Sequence, residues 1–245
     1  MGQPPLPAET AYWRRDEDRQ WVVNDLFTRS AGYYDRACGI MSFGSGQRYR
    51  RDALERSGLR PGMQVLDVGT GTGLLAREIA GITGSAASVV GLDPSEAMMA
   101  AGRARTGIRL VQGVGESLPF ACGQFDFLTM GYALRHVPDL DQAFDEYRRV
   151  LRPGGRLLLL EITRPASAFG NAAAKMYFGG AVPLMTRLWT GSQSATDLMR
   201  FYWHTIERCV PPDVVLASLR RVGLALPARN VVYGIFSEYT AVRSA

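Results

Sequence analysis

The chain has 245 residues, of which 47% are hydrophobic and 21% are charged. This composition excludes a wholly disordered protein and suffices for one sizeable core, without requiring a second domain. The formal net charge is +5, but the basic residues are nearly all arginine and are scattered along the chain. We therefore expect a basic, solvated surface and no nucleic-acid partner.

Three cysteines, Cys38, Cys122 and Cys209, include no CxxC pair. Their number and spacing argue against a disulfide framework and against a zinc site, so we expect a reducing compartment and no metal. The N-terminus lacks the basic region and the apolar core of a signal peptide. No apolar run approaches the roughly 20 residues of a membrane span. These features predict a cytoplasmic protein.

Residues 1–16 are polar and contain several prolines, which predicts a loose arm. A helical pattern over residues 18–57 is broken at Gly44-Ser45-Gly46 into at least two helices. From residue 61, short apolar runs alternate with helical segments, which indicates a parallel sheet covered on both faces. The predicted strands span residues 64–68, 88–92, 108–112, 125–130 and 156–162, and the predicted helices span residues 74–82, 94–105 and 139–151.

Residues 165–210 interrupt this alternation and are rich in methionine, aromatic residues and glycine, which predicts a helical cap over the carboxyl edge of the sheet. A further helix is predicted over residues 211–222, and residues 231–241 resemble a closing antiparallel pair. The expected fold is α/β: a Rossmann-like, seven-stranded, mostly parallel sheet with helices on both faces. We expect four regions, namely an N-terminal helical arm or lid (1–60), a Rossmann-like ligand-binding core (61–164), a cap insertion (165–210) and a C-terminal helix with strands (211–245).

The most specific local feature is a glycine-rich segment that follows the first predicted strand and opens a helix. A dinucleotide site would require the pattern GxGxxG, yet position 74 is leucine, and Asp67 would repel a nearby diphosphate. A carboxylate here suits a ligand with a cationic amine, such as S-adenosylmethionine (SAM), which carries an ammonium and a sulfonium but no phosphate. The segment reads Val65-Leu66-Asp67-Val68-Gly69-Thr70-Gly71-Thr72-Gly73.

Asp93 follows the second predicted strand, 20 residues after Gly73. An acid at this position accepts hydrogen bonds from the two ribose hydroxyls of an adenosine. NAD enzymes use the same arrangement, and a helix cap beside Pro94 is the alternative interpretation. Only together with the glycine loop does Asp93 favour SAM.

Further short segments follow one another in a characteristic order. In these segments the chain resembles the ubiquinone/menaquinone-biosynthesis C-methyltransferase family, which belongs to the class I SAM-dependent methyltransferases. The resemblance is that of a divergent member of the family. The likeness is good over residues 24–165, weak in the cap and moderate after residue 211. The segments are Phe27 to Tyr34-Asp35, Met41-Ser42-Phe43-Gly44, the glycine loop, Glu116-Ser117-Leu118-Pro119-Phe120, Phe125-Asp126, residues 133–139 (ALRHVPD), residues 147–155 (YRRVLRPGG) and Leu160-Glu161-Ile162.

The resemblance implies that SAM binds and leaves as S-adenosylhomocysteine. Val114 and Gly115 stand where the family usually has Asn or Asp followed by Ala, so one side-chain hydrogen bond to the adenine amine is lost. Such a loss costs about 0.5–1.5 kcal/mol, too little to abolish binding. Met98 could pack on the adenine or simply belong to a helix core. The implied cofactor residues are Tyr34, Met41, Asp67, Gly69, Thr70, Gly71, Thr72, Gly73, Asp93, Pro94, Met98, Val114, Gly115, Glu116 and Gly131.

Methyl transfer from a sulfonium is an in-line displacement, so the protein must align the acceptor and need not supply a nucleophile. A ring carbon attacks once an adjacent hydroxyl has lost its proton, which requires a proton route and a cation or donor for the oxyanion. The resemblance implies this role for Arg135, through water; a salt bridge to a helix acid is the alternative. His136 replaces the family's usual Asn and could take the proton itself, or it could be a hydrogen-bonded histidine at a helix entrance.

The cap supplies a set of apolar and aromatic side chains that could line a pocket for a prenylated or polycyclic acceptor, or could be ordinary core. His204 stands where the family has Glu. Because His136 and His204 are the only histidines, their presence suggests an acceptor that differs from the ordinary benzoquinol. The residues predicted to contact the acceptor are Tyr132, Tyr177, Trp189, Tyr202 and His204.

Three functions are compatible with these features. The leading prediction is C-methylation of a quinol or phenolic ring. The alternatives are an O-, N- or C-methyltransferase of secondary metabolism and a non-catalytic SAM-binding or membrane-associated scaffold. Residues 172–189 are weakly amphipathic, with Lys175 and Arg187, so peripheral membrane contact is compatible with the sequence. A homodimer is the favoured oligomer only because it is the commonest one.

Overall fold

The structure is a computed structural model that describes residues 16–244 and contains one seven-stranded sheet. The strands are β1 (Val65–Val68), β2 (Val89–Asp93), β3 (Arg109–Gln112), β4 (Phe125–Gly131), β5 (Leu151–Ile162), β6 (Leu224–Val232) and β7 (Phe236–Arg243). Their order is β3-β2-β1-β4-β5-β7-β6, and only β7 runs antiparallel to its neighbours β5 and β6. This confirms the predicted Rossmann-like, mostly parallel architecture.

Helices surround the sheet and form a separate layer above its carboxyl edge. Four shorter helical turns span Ala31–Tyr33, Ala86–Ser88, Leu134–His136 and, as a π-helical turn, Tyr177–Ala181. Of the loose arm predicted for residues 1–16, residues 1–15 lie outside the described part of the chain. The α-helices are α1 (Asp16–Ser30), α2 (Tyr34–Ser42), α3 (Gly46–Arg56), α4 (Leu74–Thr83), α5 (Glu96–Thr106), α6 (Leu140–Val150), α7 (Ala168–Met176), α8 (Val182–Thr190), α9 (Gln193–Arg208) and α10 (Pro212–Arg221).

The start of α5 differs from the sequence-based expectation. The helix begins at Glu96 rather than at Pro94, because Ser95 has extended backbone and its hydroxyl accepts a hydrogen bond from the Met98 amide. Ser95 is therefore the N-cap. The alternative interpretation of Asp93 as the cap is wrong, which leaves that carboxylate available for another task.

Two strands begin earlier than expected. Strand β5 starts at Leu151, which pairs with Phe125 before the register shifts, so the strand runs through the Pro-Gly-Gly segment. The final hairpin starts at Leu224 rather than at residue 231, and its register shifts between Ala225 and Ala228. Because β6 is the edge strand, this bulge accommodates Pro227, whose missing N–H would weaken a central strand.

Side chains of β1 point alternately into two cores, which explains why the strands are apolar almost throughout. On one face, Leu66 packs with Phe144 and Tyr147 of α6. On the other, Val65 packs with Ile79 of α4. Covering both faces leaves only the strand ends open to a ligand.

The N-terminal helices and the cap form one layer, although they are far apart in sequence. Helices α1 and α2 share an apolar cluster with the cap, which includes Leu26, Ala37, Phe178, Leu198 and Phe201. None of the helices in the described part of the chain has both the length and the apolar character that crossing a bilayer requires. The cavity described below lies between this layer and the carboxyl ends of the strands.

Candidate active site

The glycine-rich segment forms a tight loop between β1 and α4. Gly69, Gly71 and Gly73 have left-handed φ angles of 68°, 56° and 79°, which residues with a Cβ rarely adopt. The amides of Gly69 and Thr70 donate to the carbonyl oxygen of Leu92 in β2 at 2.7 and 3.0 Å. The loop is thus fixed to the neighbouring strand and presents its backbone to the cavity.

A buried carboxylate lies directly before this loop. Asp67 accepts hydrogen bonds from the hydroxyls of Thr70, at 2.7 Å, and Thr129, at 2.6 Å. Burial raises the pKa of Asp67 to about 6; the two hydroxyls oppose the rise and the Asp93 carboxylate adds to it. A ligand cation beside Asp67 would stabilise its ionised form, so this site suits the ammonium of SAM.

A second buried carboxylate ends β2. Asp93 accepts a hydrogen bond from the Gly71 amide and another from the Ser95 amide, each at 2.8 Å. Burial raises the pKa of Asp93 to about 6, against the effect of both amides. A carboxylate has about four lone-pair positions, so each oxygen of Asp93 retains capacity to accept from a ribose hydroxyl.

One cavity of about 510 Å³ extends from the glycine loop into the layer of N-terminal and cap helices. It brings together eight of the predicted cofactor residues: Tyr34, Met41, Asp67, Gly69, Thr70, Gly71, Thr72 and Gly131. Two predicted acceptor residues, Tyr132 and Tyr202, also line it, as does Arg135. A carboxylate and a glycine backbone at one end fit the methionine part of SAM.

The residues predicted for the adenosine part lie outside this cavity. Met98 is buried against the glycine loop, since a Cβ on Gly71 would lie 3.2 Å from its Cε. Val114 is 39% exposed. Gly115 lies so close to Tyr147 that a Cβ there would be 2.5 Å from the phenol oxygen, which explains why the family's alanine does not fit. The predicted residues outside the cavity lining are Gly73, Asp93, Pro94, Met98, Val114, Gly115 and Glu116.

Arg135 is wholly buried in the wall of the cavity. Its guanidinium donates to a Glu161 carboxylate oxygen at 2.6 Å, to the Tyr132 carbonyl oxygen at 2.7 Å and to the Thr205 hydroxyl at 3.0 Å. Its guanidinium carbon lies 4.7 Å from the centre of the Tyr202 ring. Burial alone would lower the pKa of Arg135, but the Glu161 carboxylate and other neighbours make the net shift upward. The alternative predicted from sequence, an ion pair, is present, but the acid lies on strand β5 rather than on a helix.

The N-terminal helices are tied to the glycine loop and to the cap. The Thr72 hydroxyl donates to Asp35 of α2 at 2.5 Å, and Arg105 of α5 donates to the same carboxylate at 2.9 Å. The phenol oxygens of Tyr34 and Tyr202 lie 2.8 Å apart. These contacts close the layer over the cavity.

The two histidines lie outside the cavity lining. The His136 ring stacks on Phe201, with ring centres 5.6 Å apart and an interplanar angle of 12°, and meets the Phe27 ring edge to face. His204 Nδ1 lies 2.9 Å from Arg208 Nη1. Burial lowers the pKa of His204, and the Arg208 charge lowers it further. The catalytic role of His136 and the acceptor role of His204 stay predictions.

Two cap residues predicted to contact the acceptor are also placed elsewhere. Trp189 is 78% exposed and borders a separate surface groove with Phe43 and Met185. The Tyr177 hydroxyl donates to the Met41 carbonyl oxygen at 2.9 Å, so it supports the wall of the cavity from outside its lining.

Several residues of the site were not predicted. Glu161 is the one charge among the otherwise apolar residues 157–162. Such a residue must be paired when buried, so the sequence did carry a signal for it. Asp35 and Thr205 had no such signal, because their roles depend on contacts with distant elements.

The profile of the ubiE/COQ5 methyltransferase family matches residues 14–231. A "Ubiquinone/menaquinone biosynthesis C-methyltransferase UbiE" from Hahella chejuensis is 33% identical over 237 residues, which cover 93% of each chain. A "Demethylmenaquinone methyltransferase" from Desulfitobacterium hafniense is 35% identical over 85% of this chain and 84% of its own length. A SAM-dependent methyltransferase from Thermotoga maritima has a similar fold, with a TM-score of 0.64 at 20% identity, over 90% of this chain and 99% of its own.

The family profile covers nearly all of the described chain, and the relatives match it along most of their own length. The fold, the glycine loop and the two buried carboxylates agree with that assignment. The chain therefore belongs to the ubiE/COQ5 methyltransferase family and is a class I SAM-dependent methyltransferase.

Proposed function

We propose that this enzyme methylates a ring carbon of a quinol or related phenol in quinone biosynthesis. The observation that carries the proposal is the continuity of the cavity, which joins the glycine loop to an aromatic chamber formed by side chains such as Tyr49, Phe178 and Phe236. The relatives from Hahella chejuensis and Desulfitobacterium hafniense are named for methylation in ubiquinone and menaquinone biosynthesis. An aromatic chamber of this kind suits a flat, apolar ring.

The cofactor site is proposed to span both buried carboxylates. SAM, when bound, supplies an electrophilic methyl group on its sulfonium. Asp67 and the loop from Gly69 to Thr72 would hold the methionine part, and Asp93 would accept from the ribose hydroxyls. The resulting alignment places an acceptor in the aromatic chamber next to the methyl group, which is the main contribution an enzyme can make to such a displacement.

The chamber would offer hydrogen-bond donors and positive charge to the acceptor oxygen. Burial raises the pKa of Tyr34, Tyr132 and Tyr202, so all three phenols are neutral hydrogen-bond donors at pH 7. Arg135 keeps its charge beside Glu161 and cannot accept a proton. We propose that the acceptor hydroxyl gives its proton to water, while neutral donors and fixed positive charge stabilise the oxyanion.

Each of the four regions predicted from sequence would have its own role in catalysis or in the fold. In this proposal the core (61–164) binds SAM, the N-terminal helices act as a lid, the cap (165–210) excludes water, and residues 211–245 complete the sheet. The hydrogen bond between Thr72 and Asp35 supports the lid role, since it links the lid directly to the cofactor loop.

Peripheral membrane contact and a homodimer remain proposals. Exposed apolar side chains occur along α7 and α8, close in sequence to Lys175 and Arg187, and such a surface suits a phospholipid interface. Co-sedimentation with anionic phospholipid vesicles should decrease for a Leu188→Ser/Trp189→Ser variant; equal binding would contradict the contact. The exposed side chains are Phe169, Met176, Leu184, Leu188 and Trp189.

The direct test is methyl transfer from isotope-labelled SAM to short-chain demethylated quinols, kept reduced, with the product analysed by mass spectrometry and NMR. We expect a new methyl group on a ring carbon. A methyl group on oxygen or nitrogen, or transfer only to acceptors without a phenolic ring, would overturn the proposal. An Asp93→Ala variant is the control for non-enzymatic transfer, because it should lose cofactor binding.

A further inference from the structure

Four arginines line the cavity, and they differ in whether a carboxylate lies close to the guanidinium. Three of them approach a carboxylate within 4.0 Å: Arg56 and Arg135 have a buried carboxylate partner, whereas the Arg48 side chain is 90% exposed to solvent. The pairs are Arg48 with Asp52 at 4.0 Å, Arg56 with Glu238 at 2.6 Å and Arg135 with Glu161 at 2.6 Å.

Arg50 is the exception among the residues that the structure describes. Its Nε atom is buried and makes no hydrogen bond, and within residues 16–244 no carboxylate lies within ion-pair distance of its guanidinium. A buried donor of this kind costs free energy unless something binds it. The side chain is therefore poised to bind an anionic oxygen that the protein itself does not supply.

The position of Arg50 points to the reaction cavity. It lines the wall of that cavity and also a neighbouring surface groove, and Cys38 and Leu74 line both with it. Burial raises the pKa of Cys38 to about 11, and the Arg50 charge is the largest opposing influence. Burial likewise raises the pKa of Tyr132, again opposed most by Arg50. The Arg50 charge thus acts on two other groups that line the cavity.

We propose that Arg50 is the anion-binding residue of this cavity and holds a carboxylate or an ionised ring oxygen. Two ligands carry that chemistry: the methionine part of SAM has a carboxylate, and a phenolic acceptor has an oxyanion when it reacts. The second source rests on the proposed function, whereas the first rests only on the family. A planar guanidinium suits either oxygen because it offers paired donors.

The first experiment measures binding by calorimetry, with S-adenosylhomocysteine and with 5′-methylthioadenosine, which lacks the amino and carboxyl groups. If Arg50 binds the cofactor carboxylate, Arg50→Gln weakens S-adenosylhomocysteine roughly 10-fold or more and leaves 5′-methylthioadenosine unchanged. Arg51→Gln is the matched control, since Arg51 is the next residue on α3, pairs with Glu55 at 3.2 Å and does not line the cavity.

The second experiment measures methyl transfer to a phenolic acceptor as a function of pH. If Arg50 binds the ring oxyanion, Arg50→Gln lowers kcat/KM roughly 100-fold. It also moves the acidic limb of the kcat profile, which reports the bound acceptor, upward by about 1–2 pH units. Arg50→Lys should recover part of the rate. Guanidinium ion in millimolar concentration should stimulate Arg50→Ala but not Arg51→Gln.

The proposal is overturned if Arg50→Gln matches Arg51→Gln in both experiments. Urea unfolding of each variant identifies a folding defect, and Arg50→Lys replaces Arg50→Gln in the comparison if the latter does not fold. If the wild-type enzyme methylates no phenolic ring, the proposed function is wrong but the proposal for Arg50 is still tested. The binding experiment then decides whether Arg50 holds the cofactor carboxylate.

Discussion

Arg135 and Glu161 form an ion pair of 2.6 Å in which each side chain is only 1% exposed, and the pair ties the loop after β4 to the end of β5. Glu161→Gln would leave the Arg135 charge buried and uncompensated. We expect a loss of about 3–5 kcal/mol in the free energy of unfolding, measured with urea.

Replacing both members of this pair tests whether the uncompensated charge of Arg135 causes the loss of stability. Arg135→Met/Glu161→Leu should recover most of the lost stability, because an apolar pair leaves no unbalanced charge. Methyl transfer should stay low in the double variant if the positive charge of Arg135 is needed for reaction. Full activity in the double variant would show that Arg135 is purely structural.

Asp93→Ala should abolish measurable SAM binding or weaken it at least 10-fold, because both proposed ribose hydrogen bonds and the Gly71 amide partner are lost. Calorimetric titration with SAM, and then with S-adenosylhomocysteine, measures the change. Asp126→Ala, near the amino end of β4 and thus at the opposite end of the strands from the loop, is the control. Unchanged affinity in Asp93→Ala would contradict the assigned cofactor site.

Ligand-free protein should become less stable as pH rises from about 4 to about 6. Burial raises the pKa of Asp67 and of Asp93 to about 6, above the value of about 3.9 in unfolded chains. In this window the folded state holds more protons than the unfolded state, so the free energy of unfolding falls with rising pH. Asp67→Asn should make the stability less dependent on pH. The prediction would be contradicted if the wild type became more stable from pH 4 to pH 6 and Asp67→Asn behaved in the same way.

SAM binding should show the opposite pH dependence. In the proposed site the ammonium of SAM would stabilise the ionised form of Asp67, so affinity should decrease as pH falls below about 6, the pKa of that carboxyl. Calorimetry at pH 5 and pH 7.5 measures this difference, and Asp67→Asn should remove it. An affinity that is equal at both pH values would show that Asp67 does not contact a ligand cation.

Gly115→Ala should destabilise the protein by about 1–3 kcal/mol, because a Cβ there would lie 2.5 Å from the Tyr147 phenol oxygen. Tyr147→Phe removes that oxygen, so the double variant should regain most of the stability. Thermal unfolding of the two single variants and the double variant measures the coupling. Additive effects would indicate that the two side chains do not meet.

Val114→Asp should tighten SAM binding by about 2- to 10-fold, equivalent to one hydrogen bond of about 0.5–1.5 kcal/mol to the adenine amine. Val114 is already 39% exposed, so the substitution buries no new charge in a core. The readout is the ratio of the Kd values for the variant and the wild type. An unchanged Kd would mean that the adenine does not approach residue 114.

Local pattern determined the positions of strands β1 to β4, of the glycine loop and of the two carboxylates, but not where β5 and β6 begin. The alternation of apolar runs and helical segments fixes a parallel sheet because both faces must be covered. The loop needs glycine at positions of positive φ. Asp93 is the last residue of β2 and Asp67 the last but one of β1, and the sequence alone indicates both positions. These features depend on backbone geometry and short-range spacing, so they can be predicted without tertiary contacts.

Only the tertiary structure decided which side chains meet. Arg135 pairs with an acid 26 residues away on β5, and the Tyr34 phenol meets that of Tyr202, 168 residues away. Trp189 and His204 share the cap's aromatic composition, yet the packing of α8 and α9 directs both away from the cavity. Composition gives the number of aromatic residues in a helix pair, whereas the face that each presents is set by how the cap packs against the N-terminal helices.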